Sequence, residues 1–195
     1  GLPFLIYSRA YYSPANDVAA EYILQKFTGW GMTAWSQRYS DSGKNVIATK
    51  LGSKYPEKQF IICAHYDNFT NEPADTTYGA DDNASGVCGV LEAARVLRNY
   101  TFDYTLIFIA FDEEEIGWYG SFSYTDSAFA RGDSIIGVIN LDMIGFDSNN
   151  DNIMRVGTNT NSLNFANVVF SSCRIYQPQL NPYMEAWGGI GSDHY

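Results

Sequence analysis

Three short apolar runs in this chain each end abruptly in acidic or imidazole side chains, and that pattern constrains the fold more than any other feature. Gln59-Phe-Ile-Ile-Cys-Ala64 runs into His65-Tyr66-Asp67, and Thr105-Leu-Ile-Phe-Ile-Ala-Phe111 into Asp112-Glu-Glu-Glu115. Ile135-Ile-Gly-Val-Ile-Asn-Leu141 runs into Asp142. Continuous apolar runs of this length read as strands buried on both faces, the usual state of parallel strands covered by helices.

Helical spacing fills the intervals. Ser13-Pro14 precedes residues 16–27, whose apolar positions Val18, Ala19, Tyr22, Ile23 and Phe27 predict a capped amphipathic helix. Residues 85–99 repeat the pattern through Val87, Val90, Leu91, Ala94 and Leu97. Residues 119–129 and 162–172 predict two more helices, and 45–50 and 153–156 two more strands. The polar, glycine-containing segment 75–83 reads as a loop. Strands alternating with helices specify an α/β fold: a mostly parallel mixed β-sheet flanked by helices on both faces. In such sheets the chemistry lies at the carboxyl ends of the strands. The 195 residues fit a single domain with neither repeat nor linker.

Composition removes several alternatives. A net charge of −10 leaves no basic surface to neutralise nucleic-acid phosphates. No apolar run approaches the roughly 18 residues that cross a bilayer. Cys63, Cys88 and Cys173 are odd in number and widely spaced, which disfavours a disulfide framework or a structural zinc knot.

Acidic clusters gathered at one sheet edge repel one another unless something positive sits among them, and these motifs contain no Lys or Arg. A metal ion answers that need. His65 and Asp67 are two apart, so on a strand both point to one face, as a metal-bound imidazole and the carboxylate that orients it do. Gly79-Ala-Asp-Asp-Asn-Ala-Ser-Gly86 sets adjacent carboxylates before a helix; Asp82 or Asn83 can be its N-cap, leaving Asp81 as a metal ligand. Within Asp112–Glu115, closed by Ile116-Gly117, one Glu can bind metal while its neighbour takes a proton from the attacking water. Gly-x-Ser-x-Gly and a phosphate-cradling glycine loop are both absent.

Taken in order, Ala64-His-Tyr-Asp67, Gly79-Ala-Asp-Asp-Asn-Ala-Ser-Gly86, Glu114-Glu-Ile-Gly117, Asn140-Leu-Asp-Met143 and Ser192-Asp-His194 resemble the co-catalytic zinc aminopeptidase family. Its relatives include glutamate carboxypeptidase, glutaminyl cyclase and the transferrin-receptor ectodomain. The resemblance spans residues 45–195. It implies two zinc ions: His65 and Asp142 on one, Glu115 on the other, Asp81 bridging. It further implies Glu114 as general base, Asp67 as the orienter of His65, and Ser192, Asp193 and His194 in the substrate pocket. A cis peptide is expected between Asp81 and Asp82.

The resemblance also implies what this chain departs from. The last ligand of the second zinc is a His in a His-Thr-x-x-Asp type motif, and the chain ends at Tyr195 before such a motif, so the expectation is a catalytic domain truncated at its C-terminus with that site incomplete. Gly189 stands where some members carry a Tyr; Tyr183 and Trp187 are the candidates to replace it. The implied activity is zinc-dependent removal of N-terminal residues from peptides, in a secreted or periplasmic setting. A glutaminyl cyclase-like acyl transferase is the first alternative, set aside on the reading that cyclases carry Ser after the bridging Asp. Carboxypeptidase specificity and a non-catalytic binding domain are the others.

Overall fold

The computed structural model describes residues 6–69, 77–186 and 191–194. These residues form two compact units, one running to Met143 and including Ser192–His194, the other lying within Ile144–Gly191.

In the first unit, α1 (Pro14–Gly29) starts where Ser13 Oγ accepts the Ala15 amide, with proline at the first helical position. Strands β1 (Thr33–Arg38), β2 (Lys44–Lys50), β3 (Tyr55–His65), β4 (Tyr104–Phe111) and β5 (Ser134–Asn140) make one sheet in the order β1-β2-β4-β3-β5. The β4-β3 and β3-β5 pairings are parallel, whereas β1-β2 and β2-β4 are antiparallel. Helix α2 (Gly86–Leu97) follows a wide, kinked turn at Ala80–Ser85, and α3 (Tyr119–Arg131) joins β4 to β5.

Side chains alternate across the sheet as the strand period demands. Val46, Ala48, Ala64, Phe108 and Ala110 pack with Ala20, Ile23 and Phe27 of α1 and Val90 and Ala94 of α2. On the opposite face Ile47, Ile61, Cys63, Ile107, Ile109 and Phe111 meet Tyr124 and Ala128 of α3. Burying a side chain such as Phe27 or Ile109 stabilises the fold by about 1.5–3 kcal/mol.

The apolar run expected to form a third buried strand departs from expectation. Ile135, Ile136 and Val138 are 38%, 47% and 42% exposed. Among the described residues β5 ends the sheet, pairing only with β3, so its other edge carries no neighbour.

The second unit contains β6 (Ile153–Thr158), α4 (Leu163–Tyr176) and β7 (Asn181–Ala186), with β6 and β7 parallel. Strand β7 had no signal in the apolar pattern. Three of the five strand pairings among the described residues are therefore parallel. No helix among the described residues is long and apolar enough to cross a membrane.

Candidate metal centre

Register brings the strand ends together. His65 pairs with Phe111, and the Tyr66 amide donates to the Phe111 carbonyl at 2.8 Å. On the other side Cys63 pairs with Asn140, and the Leu141 amide donates to the Cys63 carbonyl at 2.8 Å. Residues 65–67, 112–115 and 142 therefore crowd one edge of the sheet.

His65 is at the centre and 1% exposed. Its Nε2 lies 3.3 Å from Asp82 Oδ1 and 3.5 Å from Asp142 Oδ1; its Nδ1 lies 3.4 Å from Asp67 Oδ1. Two triads, His65–Glu114–Asp142 and His65–Asp82–Glu115, each offer one ligand atom per residue within 4.8 Å of one another. Burial opposes a charge on His65, but the contacts with Asp142, Asp67 and Asp82 outweigh it and raise its pKa far above the ordinary value.

The Asp that reaches this centre is Asp82, not the expected Asp81. Asn83 is fully buried; its side chain donates to the Leu141 carbonyl at 2.9 Å and accepts from the Gly86 amide at 2.9 Å and the Met143 amide at 3.3 Å. Asn83 thus takes the first amide of α2, whose N-cap position is Ser85, and is pinned to the strand end that carries Asp142. Gly86 permits the close approach, since a Cβ there would lie 2.3 Å from the Leu141 carbonyl. The backbone leaves helical geometry at Asp82 (φ −101°, ψ 95°), directing its carboxylate at His65, while Asp81 accepts from Ser85 Oγ at 3.2 Å. The cis peptide is likewise one residue later than expected, between Asp82 and Asn83.

The acidic run after β4 divides its side chains by direction. Asp112 is buried and accepts from Asn16 Nδ2 at 2.8 Å and the Lys44 amide at 3.2 Å; burial, with Asp67 nearby, pushes its pKa up to about 6. Glu113 is buried and accepts from Ser42 Oγ at 3.0 Å. Glu114 and Glu115 face His65. Glu113 and Trp118, with φ of 57° and 59°, enclose the pair in a tight turn, a strained geometry costing about 1–3 kcal/mol per residue. Asp67 takes the Glu114 and Glu115 amides, each at 3.2 Å, on its two oxygens. Glu114 Oε1 accepts from the Trp118 indole at 2.9 Å. Burial raises the Glu114 pKa against the pull of His65 and Trp118. Glu115 is pushed up to about 7, by burial first and then by Asp82.

Asp142 keeps a pKa below the usual range: burial opposes this, but contacts with His65 and Ser192 prevail. Ser192 is 3% exposed, donates to Asp142 Oδ2 at 2.6 Å and accepts from Asn140 Nδ2 at 2.7 Å. Asp193 has both oxygens enclosed without hydrogen-bond geometry, the neighbouring Ser121 hydroxyl being turned to the Trp118 carbonyl at 3.1 Å. Burial pushes its pKa up to about 7. His194 is exposed. Gly189 and Trp187 lie outside the described residues, and Tyr183, on β7 of the second unit, is 56% exposed.

A metal ion fits this donor set. Asp142 Oδ1 is enclosed with no hydrogen-bond partner, an uncommon condition for a buried polar atom. One imidazole and several carboxylates suit zinc, which takes nitrogen and oxygen ligands.

The profile described as Peptidase family M28 matches residues 45–195. A probable zinc metalloprotease of Pyrenophora teres f. teres is 36% identical over 103 residues, 51% of this chain and 22% of that protein. Aminopeptidase YwaD of Bacillus subtilis is 37% identical over 109 residues, 54% of this chain and 23% of the relative. The crystal structure of the LapA aminopeptidase of Legionella pneumophila superposes with a TM-score of 0.82 at 20% identity, covering 96% of this chain and 53% of that one. The chain thus spans about half of that structure, and the matched segments make up under a quarter of the curated relatives.

Proposed function

The chain belongs to peptidase family M28, and on that footing we propose that it is the catalytic part of a zinc-dependent exopeptidase, an aminopeptidase that hydrolyses the first peptide bond of its substrate. The observation that carries the reading is the convergence of Asp82 and Asp142 on His65 Nε2, at 3.3 and 3.5 Å, with the buried Asp142 Oδ1 left without a hydrogen-bond partner.

In this proposal His65 and Asp142 would hold one zinc ion and Glu115 would contribute to a second, with Asp82 serving in the place assigned to Asp81 on sequence. When bound there, zinc supplies a water with its pKa lowered toward neutrality and a Lewis acid for the scissile carbonyl. Glu114 accepts the proton of the attacking water and returns it to the leaving amine nitrogen. Its indole partner keeps Oε1 oriented and leaves Oε2 for that transfer. Asp67 orients His65 from the Nδ1 side and fixes the Glu114–Glu115 backbone. The acidic rim favours a substrate whose free α-amine is cationic, and Ser192, Asp193 and His194 line its pocket. A secreted or periplasmic setting belongs to the same proposal.

Glu114→Gln should keep its zinc and lose at least ~100-fold in turnover of aminoacyl-anilides, the low end for a positioned general base. Retained turnover removes Glu114 from the mechanism. With Asp82 in the bridging place, the distinction from glutaminyl cyclases drawn on the following residue falls on Asn83, which is again not Ser but is no longer an acidic residue. The assay therefore includes peptides with N-terminal Gln, and cyclisation without anilide hydrolysis would favour acyl transfer over peptidase action.

A further inference from the structure

The motifs at the sheet edge contain no cation, yet the structure brings one there from far upstream. Arg9 precedes α1 and lies outside the residues matched by the family. Three of its nitrogens reach three different carbonyls: Nε to Tyr66 at 2.7 Å, Nη1 to Tyr78 at 2.7 Å and Nη2 to Gly79 at 2.9 Å. Tyr66 lies between His65 and Asp67. Gly79 opens the turn that delivers Asp82, and its carbonyl also accepts the Ala84 amide at 3.1 Å. The Arg9 fork therefore joins the strand end bearing the central imidazole to the turn bearing the carboxylate aimed at it.

The neighbourhood is built around this link. The Arg9 amide donates to Asn68 Oδ1 at 2.6 Å, and Asn68 Nδ2 donates to the Thr77 carbonyl at 2.6 Å. The Arg9 carbonyl accepts from Asn16 Nδ2 at 2.9 Å, and the same Asn16 nitrogen donates to Asp112 at 2.8 Å. Gly79 has φ +53°, and a Cβ there would lie 2.7 Å from Arg9 Nη2, so the guanidinium fits closely against the turn.

We propose that Arg9 is a positioning residue for Asp82, holding the Tyr78–Gly79 backbone against Tyr66 so that the Asp82 carboxylate stays beside His65 Nε2. The proposal rests on the reading that these two residues hold zinc. Two effects of Arg9 compete. Its charge repels a dication, whereas its three hydrogen bonds preorganise a ligand of that dication. The hydrogen bonds prevail, because they act directly on the turn, while the charge is offset by the nearby Asp67, Asp82 and Glu115 carboxylates. A Lys keeps the charge and loses the planar fork that serves separate acceptors.

The test is competition of the full chain with a chromophoric chelator for zinc alone, alongside the unfolding temperature of the zinc-free proteins. Arg9→Ala should weaken zinc binding about 10- to 100-fold, the usual loss when a partner supporting a ligand is removed, and Arg9→Lys should recover only part of it. In the Asp82→Ala background, Arg9→Ala should add little further loss, because its effect passes through Asp82. Unchanged or tighter zinc binding by folded Arg9→Ala, or losses that add in full across the double variant, overturns the proposal. Should Arg9→Ala fail to fold, Arg9→Lys carries the same outcomes. A wild-type chain that binds no zinc overturns the underlying reading instead, whatever Arg9 does.

Discussion

Asp67 Oδ1 lies 3.4 Å from His65 Nδ1, and the same carboxylate receives the amides of Glu114 and Glu115. One buried side chain therefore registers the end of β3 against the turn after β4. Asp67→Asn replaces one acceptor oxygen with a donor that faces an amide or the imidazole. The expected result is about 10- to 100-fold weaker zinc binding together with reduced turnover, measured by chelator competition and steady-state kinetics. Wild-type values for both would remove Asp67 from the centre.

Two adjacent aspartates invite a direct contrast. Asp82→Asn should weaken zinc binding more than Arg9→Ala does, whereas Asp81→Asn, whose carboxylate accepts from Ser85, should bind zinc close to the wild-type level. Zinc titration of the two variants side by side decides between them, and the reverse order would restore the assignment made on sequence.

Trp118 supplies a donor to Glu114 and also packs edge-on against Phe122 at 6.4 Å between ring centroids. Trp118→Phe keeps the aromatic packing and deletes the donor. A hydrogen bond to a charged group contributes about 1.5–3 kcal/mol, so kcat should fall roughly tenfold or more, with zinc content and KM little changed. A change confined to KM would contradict the role.

Asn83 makes three hydrogen bonds in a fully buried position. Asn83→Ala leaves the Leu141 carbonyl and the Gly86 and Met143 amides without that partner. The zinc-free protein should lose about 3 kcal/mol in urea unfolding, given roughly 1 kcal/mol or more per lost bond. A loss under half that value would mean the Asp82 and Asp142 segments are joined by something else.

The sheet and most of the site were legible because period and position carry them. Runs such as Ile107–Phe111 announce buried strands, and a His or carboxylate directly after such a run has to emerge at the sheet edge, as His65, Asp67, Glu114, Glu115 and Asp142 do. What the pattern does not encode is the path of the chain between elements. Asp81 and Asp82 are chemically identical, and the choice between them is made by Asn83, whose anchor is a carbonyl on another strand. Arg9 acts on carbonyls, which every residue possesses, so its partners leave no trace in sequence. Ile135–Val138 reads as buried because composition reports apolarity, whereas exposure depends on whether another element covers the strand. The four-residue step from Glu114 to Trp118 is a sequence signal for the contact between their side chains.

The account's central claim is that a dication gathers these side chains, and crystals grown with zinc, with anomalous data collected at its absorption edge, test it most directly. The account predicts a peak within about 2.0–2.2 Å of His65 Nε2 and of carboxylate oxygens of Asp82 and Asp142, the usual zinc–ligand distances. An anomalous map empty beside His65, or a peak held by Asp81 with Asp82 turned to solvent, would contradict it.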